Sequence, residues 1–360
     1  MPISHPSIHR QGTQDAKSVP KRHPSIRLSP TQGAFWDIQI KCQQNLAMYG
    51  ATVGRLAVLG IEATTNQAIC HIIPDEKITN RDYLYHCLQY KVPELLSQAI
   101  GEAQPNISQQ IIKRIQIPLP PLAEQKRIAA ILDQADALRA KRRAALAKLD
   151  TLLQATFLDM FGDPVTNPMG WEVKQLGEIT DVGTGSTPSR KQKENYGGII
   201  PWVKTTEVDW GIITHTEEAV SAQGIKSARL KTYPKDSILI AMYGQGKTRG
   251  KSAILGIDAT VNQACAVLLP TSKFKTEYMA VLLHHSYETL RDLGRGGNQP
   301  NLNLSLVKSF EIPLPPIKLQ IDFAKIIKSI HKIQKSHRKH LQKVNNLFHA
   351  LQQRAFKGEL

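Results

Sequence analysis

Cysteine is scarce in this chain of 360 residues. The four present, Cys42, Cys70, Cys87 and Cys265, share no close spacing. Without a Cys-x-x-Cys pair, neither a zinc knuckle nor a disulfide framework is indicated, and the thiols fit a reducing cytoplasm. No apolar run approaches the roughly 18 residues that cross a bilayer, so no membrane association is expected. Aromatics make up only 6%. Acids are outnumbered, 30 against 46 Lys and Arg, for a net charge of +16. That imbalance points to a polyanionic partner, nucleic acid foremost.

Catalytic patterns are missing too. Gly244-Gln245-Gly246-Lys247-Thr248-Arg249-Gly250-Lys251-Ser252 approaches a phosphate-binding loop. G-x-x-x-x-G-K-[ST] places its first glycine at 245 or 241, which hold Gln and Ala. The segment reads better as a basic hairpin loop against a nucleic-acid backbone. Glu172-Val173-Lys174 has the E-x-K shape of a metal nuclease, but it is short and unrepeated. Asn167-Pro168-Met169-Gly170 lacks the second proline and the aromatic of an adenine methyltransferase tetrad, and no G-x-G-x-x-G opens a βαβ unit. No metal set and no catalytic constellation is expected; the chain reads as a non-enzyme.

What the chain does contain is a copy of itself. Ala47-Met48-Tyr49-Gly50 returns as Ala241-Met242-Tyr243-Gly244. Ile61 to Ala68 (IEATTNQA) returns as Ile257 to Ala264 (IDATVNQA), and Ile117-Pro118-Leu119-Pro120-Pro121 returns as Ile312-Pro313-Leu314-Pro315-Pro316. The three blocks keep one register, 194 to 196 residues apart. That period is a duplicated domain, far longer than a solenoid repeat.

The second copy reads as mixed α+β. Short strands are predicted over 199–203, 211–214, 237–242, 252–255 and 264–269, a helix over 276–293, a glycine turn at 294–297, and an extended close over 311–316. The first copy matches from Leu46, with a helix over 80–99. Gln104-Pro105-Asn106-Ile107 and Gln299-Pro300-Asn301-Leu302 read as structural turns at the join to the next helix.

Past each proline block, apolar residues recur at the 3–4 spacing of a coiled-coil seam. They fall at Ile128, Ile131/Leu132, Ala135, Leu138, Leu146, Leu149, Leu152/Leu153 and Phe157, then at Ile321, Ala324, Ile327, Ile330, Ile333, Leu341, Val344, Leu347/Phe348 and Leu351. Two helices of about 60 Å are expected, paired antiparallel.

The expected layout is a leader over 1–45, a partial first domain over 46–121, a spacer helix over 122–163, a second domain over 164–316 and a C-terminal helix over 317–360. The leader is basic, rich in Ser, His and Pro, with Asp15 its one acid over the first 34 residues. Its prolines break any amphipathic helix, which argues for a disordered or atypical leader rather than a transit peptide. The counterpart of Trp171, where the second copy opens, would fall before residue 1. Either residues 1–45 rebuild the missing part or the product is a remnant.

In order and duplication these blocks resemble the specificity subunits of type I restriction–modification systems. The resemblance runs over about 46–360 and rests on Gly185-Ser186-Thr187-Pro188-Ser189-Arg190, Ile200-Pro201-Trp202-Val203, the two Ala-Met-Tyr-Gly blocks, Asn262-Gln263-Ala264, and Ile117 to Gln125 (IPLPPLAEQ). It implies two target recognition domains, each reading half of a bipartite DNA site, with paired helices setting the gap. It also implies two adenine methyltransferase subunits docked on the helices and a restriction translocase subunit. S-adenosylmethionine, ATP and Mg would then belong to those partners, with no cofactor on this chain. A scaffold that joins the partners without reading DNA is the alternative.

Base edges are read by polar forks and the backbone is held by cations and hydroxyls. The candidate DNA contacts in the second copy are therefore Ser186, Thr187, Ser189, Arg190 and Lys191; Lys204, Thr205 and Thr206; and Tyr243, Gln245, Lys247, Thr248, Arg249 and Lys251. Gln245 and Arg249 carry the forks suited to A and G. Tyr49, Thr52 and Arg55 hold the matching places in the first copy. Burial in the core is the competing reading for Trp202 and Tyr243. Lys325, Lys328, Lys332, Lys335, Arg338, Lys339 and Lys343 form a charge run on the last helix, either solvated or facing spacer DNA or an acidic partner.

Overall fold

The computed structural model describes residues 37–39, 44–48, 52–61, 63–99, 106–244, 247–294 and 301–360. The chain divides into two compact units, Met1–Leu122 and Ala123–Leu360.

The first unit holds β1 (Asp37–Gln39), β2 (Gln44–Ala47), β3 (Leu56–Val58), β4 (Ala63–Thr65), β5 (Ile69–Ile72), α1 (Arg81–Ser97) and α2 (Gln109–Arg114). β2 is the centre of an antiparallel sheet in the order β3-β2-β5, and β1 pairs antiparallel with β4. Leu46, Met48, Leu95, Ile107 and Ile112 form its apolar centre. The side chains of Asn80 and Ser108 cap α1 and α2 by accepting from the N–H groups of Tyr83 and Ile111. β1 and the start of β2 fall inside residues 1–45, expected to be a divergent leader. β1 is only three residues long and pairs with Ala63-Thr64-Thr65, far on in the chain, so it leaves no periodic signal in sequence.

α3 (Leu122–Phe161) leads into the second unit. There follow β6 (Val173–Gln175), α4 (Leu176–Ile179), β7 (Val182–Thr184), β8 (Tyr196–Val203), β9 (Ile212–Ile213), β10 (Glu218–Val220) and α5 (Ala222–Ala228). Next come β11 (Ile238–Ala241), β12 (Ser252–Leu255), β13 (Thr260–Val261), β14 (Cys265–Leu268), α6 (Thr276–His285), α7 (Tyr287–Asp292), α8 (Leu304–Lys308), β15 (Glu311–Pro313) and α9 (Ile317–Lys357). A five-stranded sheet runs β7-β14-β11-β12-β9, a three-stranded sheet β10-β8-β13, and β15 pairs with β6. β11 and β14 are buried on both faces, which matches their unbroken apolar runs.

The duplication is visible as hydrogen bonds. β3-β2-β5 and β12-β11-β14 are the same antiparallel triplet. Met48 N–H donates to Ala68 O and Met242 N–H to Ala264 O, both at 2.8 Å. Ile107 N–H donates to Met48 O at 2.7 Å, and Leu302 N–H to Met242 O at 3.0 Å. Tyr83 Oη donates to Pro118 O and Tyr278 Oη to Pro313 O, each at 2.8 Å. Among the described residues, β6 to α5 have no counterpart in the first unit. The single helix expected over 276–293 is two, because Ser286 (φ −88°, ψ 9°) leaves the helical region between α6 and α7.

α3 and α9 run antiparallel. Leu153, Phe157 and Phe161 pack in one cluster with Phe323, Ile327 and Ile330. Further along, Gln334 Nε2 donates to Asp150 Oδ1 at 2.7 Å, and Arg139 Nε donates to Asn345 Oδ1 at 2.9 Å with its guanidinium 4.3 Å over the Phe348 ring. Near the end, Arg127 Nη2 donates to Leu360 O at 2.6 Å. Leu138 (48% exposed) and Ile333 (46%) are expected in the seam and are not in it; at the two paired positions Leu153 and Phe348 are the buried members, while Leu152 and Leu347 are exposed. Buried Gln334 stands on the seam where Ile333 was expected.

Candidate nucleic-acid interface

Both copies close the same hairpin, β2 to β3 and β11 to β12. Gly54 N–H donates to Ala47 O and Gly250 N–H to Ala241 O, each at 2.8 Å. The glycines have φ of +79° and +86°, the left-handed region an L side chain resists. The second hairpin is two residues longer, which accounts for the change of offset from 194 to 196. In the first, Thr52 and Arg55 are exposed, and Tyr49 lies outside the described residues. In the second, Tyr243 and Lys247 are exposed, Thr248 is half-buried and Gln245 lies outside the described residues.

Two side chains of the longer hairpin are not as expected. Arg249 is 7% exposed, its Nε has no hydrogen-bond partner, and it makes no ion pair among the described residues. A guanidinium in that position does not reach a base edge; the side chain is folded inward. Its place in the first copy is held by Val53, which packs against the apolar core. Lys251 is held by the Asp209 carboxylate. Tyr287 Oη donates to Lys247 O at 2.6 Å, fastening the hairpin to α7. Beside it Trp210 packs edge-on against His284 (4.3 Å between centroids) and Tyr287 (5.4 Å). Burial lowers the pKa of His284, and burial then His284 lowers that of His285.

The second loop, 185–191, folds back over the sheet. A Cβ on Gly185 would sit 1.7 Å from Val261 O, so only glycine permits this approach. Ser186 N–H donates to Val261 O at 3.2 Å, and Trp202 Nε1 donates to Ser186 O at 3.2 Å. Trp202 is 2% exposed: it supports the loop from within the core. Thr187 Oγ1 donates to Gln263 Oε1. Thr187, Ser189 and Lys191 are exposed and Ser186 is half-buried. Arg190 binds both Glu218 oxygens (2.6 and 3.1 Å) and lies 4.3 Å over the Tyr196 ring.

The third candidate segment joins the same network. Lys204 Nζ binds Glu217 at 2.6 Å and Glu218 at 3.0 Å. The hydrogen bond from Arg190, with that from Lys204, pulls the Glu218 carboxyl down to about 2. Thr205 is buried and donates to Asn262 Oδ1 at 3.0 Å, so it cannot face a ligand; Thr206 is exposed.

Asn262 and Gln263 tie these loops together. Asn262 Oδ1 accepts from Thr205 and from the Ala264 N–H (3.2 Å), and Gln263 accepts from Thr187. Asn66 Oδ1 repeats the turn with the Ala68 N–H at 3.1 Å. The repeated Asn-Gln-Ala block was legible as a motif, but its role in fixing the loops was not. The cationic candidates thus separate. Arg190, Lys204 and Lys251 are committed to carboxylates, Arg249 is interior, and Arg55, Lys191 and Lys247 are exposed. Glu172 and Lys174 of the E-x-K pattern bind each other at 2.6 Å. Among the described residues no three His, Cys, Asp or Glu side chains converge to hold a metal ion, and no helix is long and apolar enough to cross a membrane.

An antiparallel triplet with the same hairpin in each of two units, together with two long antiparallel helices in the second, is the fold of a two-domain DNA-specificity protein. The sequence pattern of the type I restriction modification DNA specificity domain matches residues 36–148 and 168–346, and the chain belongs to that family. The match begins one residue before β1, inside the span expected as leader. The chain is 24% identical over 328 residues to the type I restriction enzyme MjaIX specificity subunit of Methanocaldococcus jannaschii, covering 86% of this chain and 76% of the relative. It is 26% identical over 266 residues to the EcoR124I/EcoR124II specificity subunit of Escherichia coli, covering 70% and 64%. The crystal structure of the type I restriction–modification S subunit from M. genitalium superposes with a TM-score of 0.56 at 16% identity, covering 89% of this chain and 84% of that one. A structure of a type I R-M system superposes at 0.57 and 17%, covering 90% and 83%.

Proposed function

We propose that this chain is the non-catalytic, DNA-reading specificity subunit of a type I restriction–modification complex, and that it directs partner subunits to a DNA site in two parts. One observation carries the reading. The hairpin, the Asn turn and the Tyr-to-Pro bond recur in both units with the same partners, so each unit presents a loop of the same design. Exposed Thr187, Ser189, Lys191, Thr206, Tyr243 and Lys247 form the reading surface of the second unit, and Thr52 and Arg55 that of the first.

The partners are two adenine methyltransferase subunits and a restriction translocase subunit, which supply S-adenosylmethionine, ATP and Mg. The helices offer them apolar side chains outside the seam: Leu138 and Leu152 on α3, and Ile326, Ile333 and Leu347 on α9, spaced by whole heptads. The complex works in the cytoplasm, where its DNA is. A scaffold that assembles partners without reading is the second reading, favoured by the three candidate cations already neutralised by carboxylates.

Selection of bound duplexes from a random pool, using the chain with its methyltransferase subunits, separates the two. Enrichment of two short half-sites at a fixed gap supports reading. Retention of the pool without enrichment supports the scaffold.

A further inference from the structure

The excess positive charge of the chain is concentrated on one helix. α9 carries ten Lys and Arg against the single acid Asp322, whereas α3, of nearly equal length, carries seven against five. Six lysines, Lys325, Lys328, Lys332, Lys335, Lys339 and Lys343, recur at spacings of three and four, and all are exposed. At 100° per residue they form a single stripe about 27 Å long. The stripe lies roughly 140° round the helix from the seam residues Phe323, Ala324, Ile327, Ile330 and Gln334. Lys325 binds Asp322 at 2.8 Å, and Lys328 approaches Glu277 at 3.7 Å. Lys332, Lys335, Lys339 and Lys343 make no ion pair among the described residues. Like charges at these spacings repel one another and weaken a helix, and an ordinary solvated face interleaves both signs.

We infer that this stripe is a second DNA contact, which holds the phosphate backbone without regard to sequence. The chemistry favours a duplex over a protein. Lysines are point charges on flexible stems and suit a regular row of phosphates. A protein partner needs an aromatic or aliphatic anchor. Ser329 and Ser336 flank these lysines, and the exposed Ile326 and Ile333 lie roughly 120° round the helix from the stripe, with Leu347 beyond its last lysine. The contact is independent of how the domain loops read bases, so the two succeed or fail separately.

The test measures the affinity of the full chain for a random 40-base-pair duplex over a series of salt concentrations. The wild type is compared with a chain carrying Lys332→Gln, Lys335→Gln, Lys339→Gln and Lys343→Gln. The control removes equal charge elsewhere, with Lys226→Gln, Lys231→Gln, Lys235→Gln and Lys357→Gln. Losing four phosphate contacts makes the slope of log K against log salt shallower by about 3 to 4, with the control close to wild type. Helix content and thermal midpoint confirm the fold; should the quadruple variant unfold, Lys335→Gln with Lys339→Gln reads half the change. An unchanged slope overturns the inference, as does an equal change in the control. Loss of methyltransferase binding with an unchanged slope overturns it in favour of an acidic protein face.

Discussion

Tyr278 Oη donates to the carbonyl of Pro313 at 2.8 Å in a buried site, and its counterpart Tyr83 makes the same bond to Pro118 at the same distance. Proline has no N–H, so its carbonyl is the one backbone group it offers. A helix and the proline-rich segment leading to the next long helix are thereby joined in each unit. Tyr278→Phe leaves the Pro313 carbonyl buried and unsatisfied, at a cost of about 1–3 kcal/mol. Urea unfolding of the wild type and the variant measures it; equal midpoints would contradict the role.

Arg249 is buried with no counter-charge among the described residues, and Val53 holds its place in the first copy. An unpaired interior guanidinium costs stability that an apolar side chain does not. Arg249→Met therefore raises stability by ~1 kcal/mol or more, read as a higher thermal midpoint. A lower midpoint would show that the guanidinium makes stabilising contacts.

Glu218 sits between Arg190 and Lys204 with its carboxyl lowered from 4.5 to about 2. A lowered carboxylate stabilises the fold above its ordinary range, and that contribution disappears as pH falls through the folded value. The stability difference between wild type and Glu218→Gln is therefore full at pH 6 and shrinks from about 4.5 down towards about 2. Chemical unfolding at stepped pH follows it. A difference that stays constant below pH 4.5 would rule out the pairing.

Gly185→Ala forces a Cβ to 1.7 Å from Val261 O, a backbone atom that cannot yield like a side chain. The loop from Ser186 to Lys191 must then move, at a cost on the order of 2 kcal/mol or more. Proteolysis at Arg190 or Lys191 should quicken, and an unchanged cleavage rate would contradict the close approach.

Ile330 is 4% exposed in the seam, and Ile333, one turn on, is 46% exposed. Ile330→Glu buries a charge and unfolds the helix pair. Ile333→Glu leaves helix content intact and weakens co-purification of the methyltransferase subunits. Unimpaired co-purification would move their docking away from this line.

Much of the architecture was written in local pattern. β11, β12 and β14 are short β-rich runs bounded by Gly or Pro, and the seam of α3 and α9 follows a 3–4 repeat. The misassigned residues are those whose environment is decided at a distance. Leu138 and Ile333 fit the repeat by spacing yet fall outside the seam, and Gln334 enters it through Asp150. The site was less legible for the same reason. Lys204 and Arg190 look free in sequence, but β8 and β10 pair so that Glu218 stands opposite Trp202, within reach of both. Thr205 turned inward because Asn262, 57 residues on, accepts its hydroxyl. Thr187, Ser189, Lys191, Tyr243 and Lys247 are exposed on loops, as polar loop residues commonly are.

The most direct measurement is a map of N6-methyladenine in a methylation-free host that expresses this chain with its methyltransferase subunits. The account predicts methylation at one split motif with a constant gap, and a change in only one half when the exposed loop residues of the second unit are replaced. Assembly of the complex without methylation at any split motif would contradict it.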